Sequence, residues 1–118
     1  MELFWKVIYH TKQMTPRLQQ ILQWLENEPN DAFLLYAAAT EYKNFDLQKA
    51  AEFFELLLIS HPQYLPTYYH AAQLYVDMKN PEKAEMIYKD GIALAKQQKE
   101  QKALAELQSA YNNFLFED

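Results

Sequence analysis

The chain has 118 residues, of which 50% are hydrophobic and 15% aromatic, with 16 acidic against 11 basic side chains and a formal charge of -5. That length suits one compact domain, the apolar content is enough for a packed core, and the acidic balance opposes the phosphate neutralisation that a nucleic-acid partner needs. With no cysteine there is neither a disulfide framework nor a thiolate site, and a single glycine leaves no phosphate-cradling loop and little hairpin chemistry.

In chain order, residues 1–13 come first and carry no capping signal. Lys6 splits Leu3-Phe4-Trp5 from Val7-Ile8-Tyr9, so the segment is too short and too interrupted to span a membrane, and no small-residue cleavage site follows it. Met14 stands just before a well-formed helix start. The segment therefore reads as the product of a start codon placed too early, with an apolar arm as the alternative. One helical domain is expected over residues 14–118, in a cytoplasmic protein.

Thr15-Pro16 sets a capping hydroxyl before proline at the first helical position, and Leu18, Ile21, Leu22 and Leu25 recur at helical spacing up to Pro29. This predicts a helix over 16–28. A two-helix unit over 32–62 follows, with Asn30-Asp31 and Asp46 as candidate caps. Its first half holds Leu35, Ala38, Ala39 and Tyr42, and its second half holds Ala50, Phe54 and Leu57. A second unit over 65–98 repeats the pattern: Tyr68, Ala71, Ala72 and Tyr75 stand 33 residues on, and Ala84, Tyr88 and Gly91 stand 34 residues on. The offset changes because Tyr42 to Ala50 is eight residues and Tyr75 to Ala84 is nine, so one residue is missing from the first unit's internal turn. Pro29 and Pro62 punctuate the same register, and Asn80-Pro81-Glu82 repeats the capping signal with an acid in the first turn. Leu104, Leu107, Ala110, Tyr111, Phe114 and Leu115 form a last amphipathic stripe, predicting a helix over 101–116 that covers the open end of the stack.

These spacings resemble the tetratricopeptide pattern W-x2-L-G-x2-Y, then A-x3-F and a closing proline, with a period of about 34 residues. The match covers residues 16–96, and the nearest look-alikes are small bacterial stand-alone tetratricopeptide proteins. The resemblance implies an all-α fold of antiparallel helix hairpins in an α-α superhelix, finished by a C-terminal capping helix. There are departures. Leu35 and Tyr68 replace the tryptophan, and Phe45 and Lys79 stand where a turn glycine is usual, so Asn44 or a rearranged turn is expected to supply any left-handed residue. Lys96 replaces the second closing proline, which lets that helix run on.

With the alanine seams turned inward, helix geometry of about 100° per residue puts Phe33, Tyr36, Thr40, Lys43 and Asn44 on the opposite side of the first helix. Pro66, Tyr69, Gln73, Val76 and Asp77 are the equivalents in the second unit, with His70 next to Tyr69. In tetratricopeptide proteins this surface is the concave groove that receives peptides or helices. The resemblance therefore implies a protein or peptide partner bound by Tyr36, Thr40, Lys43, Tyr69, His70, Gln73 and Asp77, with the two tyrosines stacked one above the other. Cover by the N-terminal arm or the C-terminal helix is the competing expectation. The family's lysine-asparagine-arginine clamp for chaperone tails is absent, because Tyr36, Thr40, Tyr69 and Gln73 hold those positions. A structural homodimer formed through exposed apolar ends is the main rival.

No catalytic residue, metal, cofactor, nucleic acid or membrane is expected, and an enzyme using His70 with a nearby carboxylate is the remote alternative. His10, His61 and His70 lack a ligand partner at the spacing of a helical zinc site. His61, at a helix end, is expected to serve the helix dipole. Glu26, Glu28, Glu41, Glu52, Glu55, Glu82 and Glu85 read mostly as a solvated face, and Lys96 to Lys102 as a basic helix surface.

Overall fold

The computed structural model describes residues 14–117, and both readings of residues 1–13 lie outside them. Six helices make up the described chain: α1 (Pro16–Asn27), α2 (Ala32–Tyr42), α3 (Leu47–Ser60), α4 (Pro66–Asp77), α5 (Pro81–Gln98) and α6 (Gln101–Phe116). No strand occurs among the described residues.

Side-chain caps start four of the helices. Thr15 accepts from the Leu18 amide at 3.0 Å, Asp31 from Leu34 at 2.9 Å, Asp46 from Lys49 at 3.0 Å and Asn80 from Lys83 at 3.3 Å. Each satisfies one of the amides that a helix start leaves without a partner. In α4 there is no side-chain cap, and Pro66 at its first turn removes one donor instead.

The helices pair as α2 with α3 and α4 with α5, the two most extensive associations among the described helices. Ala38, Ala39, Ala71, Ala72, Ala50 and Ala84 are completely buried, so the seams close on side chains small enough for the helices to approach. Phe54 and Leu57 are also fully buried, each contributing about 1.5 to 3 kcal/mol of apolar transfer. Gly91 sits at a close crossing. A Cβ there would lie 2.7 Å from Tyr68 Cβ and 3.3 Å from a Leu107 methyl, so only glycine fits.

The backbones of neighbouring first helices come close, α2 to α4 and α4 to α6, whereas those of α3 and α5 stay apart and are joined by the Lys83–Glu55 side-chain pair. The stack therefore curves, with the first helices on its inner side. Polar contacts tie the units across this curve. Tyr75 donates to Glu55 at 2.6 Å, Lys83 pairs with the same carboxylate and lies 5.1 Å from the Tyr75 ring centre, and Tyr111 donates to Glu85 at 3.0 Å. Glu55 and Glu85 are thus half-buried acceptors, and Glu41 pairs with Arg17, which corrects the expected solvated face at these three positions. His61 stands at the C-cap of α3, and its Nε2 also lies 2.8 Å from the Asn30 carbonyl, so it joins two turns.

The two internal turns differ as the arithmetic requires. After α4, the Asn80 amide donates to Tyr75 O and the Lys79 amide to Val76 O, with Lys79 at φ 62°. That pair of bonds is the Schellman closure, and its left-handed position is normally glycine. After α2, the chain turns through bonds from Phe45 and Asp46 to Tyr42 O, and no residue has positive φ. Of the two expectations, Asn44 is not left-handed and the first turn is the rearranged one, while after α4 Lys79 itself takes the left-handed position. Lys99 repeats the closure after α5, at φ 60°.

Candidate functional site

Along the inner side runs a groove of about 1300 Å³. Of the residues expected to bind, Tyr36, Tyr69, His70, Gln73 and Asp77 line it, and Thr40 and Lys43 do not. Thr40 donates its hydroxyl to the Ala37 carbonyl at 3.0 Å, which turns it back onto its own helix. Lys43 stays close enough to Asp77 to be influenced by it.

Tyr36 and Tyr69 do not stack on each other. The His70 ring stands between them, with centroids 5.6 Å from Tyr36 and 5.4 Å from Tyr69, both edge to face. Tyr64, from the turn before α4, adds a further edge contact to Tyr36 at 5.8 Å. Such arrangements set a ring edge against a neighbouring π face and fix the aromatic wall as one unit. Burial lowers the His70 pKa, and the nearby Lys43 lowers it further, so the neutral ring is the favoured form. Burial likewise lowers Lys43, with Asp77 opposing the shift, and raises the hydroxyl of Tyr36. His70 therefore acts as an aromatic spacer with polar edges.

The opposite wall is α6. Ala105, Glu106, Ser109 and Asn113 line the groove, each 36 residues after Tyr69, His70, Gln73 and Asp77. Leu104, Leu107 and Tyr111 stand at the same offset from the inward Tyr68, Ala71 and Tyr75. The last helix thus occupies the place of a third first helix and serves as a wall, while still covering the end of α5. Its residues and the half-buried Tyr36 and Tyr69 line the same groove. Sequence reasoning missed this wall and Tyr64. The signal for the wall was the stripe of Leu104, Leu107 and Tyr111, displaced by two residues because α5 continues to Gln98. At one end the groove is closed by Gln98, whose side-chain amide donates to the Gln63 carbonyl at 2.8 Å.

Among the described residues no group of three or more histidine or acidic side chains is placed to hold a metal ion, and no helix is long and apolar enough to cross a membrane.

The family model described as tetratricopeptide repeat matches residues 41–107. A crystal structure of a tetratricopeptide repeat domain protein from Salinibacter ruber is similar at 35% identity and a TM-score of 0.71, with the match covering 75% of this chain and 99% of that one. A solution structure of a tetratricopeptide repeat domain protein from the same organism is 37% identical with a TM-score of 0.69, covering 73% and 88% respectively. No curated protein matches. The repeated alanine seams, the paired helices, the inner groove and these similarities together establish that the chain belongs to the tetratricopeptide repeat family.

Proposed function

We propose that the protein is a non-catalytic interaction module, a scaffold or adaptor, that takes a segment of another protein into the groove between α4 and α6. The observation that carries this reading is the aromatic wall: Tyr36, His70 and Tyr69 are half-buried in mutual contact yet face open space. Aromatic residues held rigid on helices give large contact area at small entropic cost, and anchors of this kind dominate interfaces. His70 packs against rings with Lys43 as its charged neighbour, which supports a packing role for it. A partner recovered by affinity capture should bind Tyr69→Ala at least tenfold more weakly while helicity is unchanged. If instead Ile59→Lys on the outer surface abolishes binding and Tyr69→Ala does not, the ligand sits on the convex side.

One observation favours a second reading. On the outer face of α3, Leu56 and Ile59 are 49% and 76% exposed beside Phe53, an apolar surface that fits a second copy of the chain. Light scattering at low concentration distinguishes the two, since a dimer made this way should become monomeric in Ile59→Lys.

A further inference from the structure

The groove is not electrically neutral. Four carboxylates line it, Asp77, Glu100, Glu106 and Glu117, and no lysine or arginine does. Three of them belong to α6 or its flanks. From Glu100 to Glu117 the helix rises about 25 Å at 1.5 Å per residue, so the acidic strip runs the length of that wall. None of the ion pairs among the described residues involves these four; the acids that are paired, Glu41, Glu52 and Glu55, lie elsewhere. The field reaches the groove floor, where burial raises the Tyr88 hydroxyl and Tyr69, Glu117 and Asp77 add to the shift. Across from the three acids of α6 stands the tyrosine wall, on whose side Asp77 lies with Lys43 near it, so the acidic strip belongs to α6.

We propose, resting on the reading of the groove as the binding surface, that its occupant is a basic amphipathic segment of another protein, with apolar residues against Tyr36 and Tyr69 and lysines or arginines along α6. Charge complementarity selects this occupant over an acidic or neutral one, because an acidic segment would face like charges along the whole strip. Exposed charges act over roughly 10 Å at 0.1 M salt, so binding should weaken as salt rises.

The test uses two dye-labelled peptides of about sixteen residues, matched to the strip at helical rise. One carries lysine and leucine at amphipathic spacing, the other glutamate in place of lysine, and each is titrated by fluorescence anisotropy against the full chain. The lysine peptide should bind at least tenfold more tightly than the glutamate peptide. Glu106→Lys with Glu117→Lys should cost the lysine peptide at least tenfold and strengthen the glutamate peptide. Glu26→Lys with Glu28→Lys, the same change of net charge on α1, should alter affinity less than twofold. Absence of lysine-peptide binding, equal binding of the two peptides, or an equal loss in the α1 variant would overturn the proposal. Tyr69→Ala separates the two layers of inference. If it weakens the peptides while the α6 reversal does nothing, the groove stands and the basic occupant falls. If it changes nothing, the groove reading falls and this proposal with it.

Discussion

The two helix hairpins fill the same space in opposite ways. In the first, Leu35 and Leu57 occupy positions that Tyr68 and Gly91 hold in the second, all of them buried. A medium pair in one unit is matched by a large and a null side chain in the other. Tyrosine with glycine is smaller in sum than two leucines, so the second crossing is filled by close approach of the helices, and a Cβ at Gly91 would lie 2.7 Å from the Tyr68 Cβ. The turns show the same freedom: one closes with Lys79 in the left-handed region, the other omits that residue altogether.

The largest effect should come from emptying one side of that comparison. Leu57→Ala leaves a cavity where Leu35 cannot follow, and should cost about 2 to 5 kcal/mol in a denaturant melt. Gly91→Ala attacks the other side by overfilling and should cost about 1 to 3 kcal/mol. Tyr68→Leu should not relieve that penalty, because the added methyl meets the Tyr68 Cβ at 2.7 Å and Cγ at 3.2 Å, atoms that leucine keeps. A double-mutant cycle showing full relief would mean that the helices move apart instead of clashing there.

The turns give a smaller effect of opposite sign. Lys79→Gly should stabilise the fold by about 0.5 to 1 kcal/mol, since glycine adopts positive φ without the Cβ clash. Asn44→Gly should give no gain, because nothing in that turn is left-handed. Equal responses at the two sites would show that the turns are not different in solution.

The smallest effect concerns the contact that joins the hairpins. Burial opposes ionisation of Glu55, but hydrogen bonds from Lys83 and Tyr75 and the Lys83 charge outweigh it and hold the carboxyl below its ordinary value. A carboxyl lowered in the folded state contributes stability above its unfolded pKa, and that contribution is lost as pH falls through the folded pKa. Glu55→Gln should therefore flatten the acid side of the stability profile at and below the ordinary carboxylate range. Because the pair is partly exposed, the difference at neutral pH should be no more than about 1 kcal/mol. An unchanged profile would remove Glu55 as an electrostatic link between the units.

Much of this architecture was legible before any coordinates. Small residues recur only where helices must approach, so Ala38, Ala39, Ala71 and Ala72 located the seams, and caps such as Asp46 and Asn80 located helix starts. Lys79 was not legible as a left-handed residue, since lysine carries no preference for that region and is held there by the bonds around it. The α6 wall was hidden for a different reason. Its groove residues, Ala105, Ser109 and Asn113, are chemically plain, and an offset of 36 falls outside the repeat period. Glu55 and Glu85 were read as solvated because sequence spacing within one helix says nothing of a tyrosine arriving from another. Thr67 shows the same limit: it is fully buried with its hydroxyl without a partner, and no local pattern announces it.

The register of α6 also bears on how far such a stack can grow. Where Ala39 and Ala72 make room for a crossing helix, α6 presents Gln108, which is exposed. A helix laid against it in the manner of α3 or α5 would have to bury an amide with no counterpart or hold itself away from the seam. At that position the tip of the described stack offers a wider, polar surface where the two seams inside it offer alanine, so a further hairpin would meet a different chemistry from those already packed.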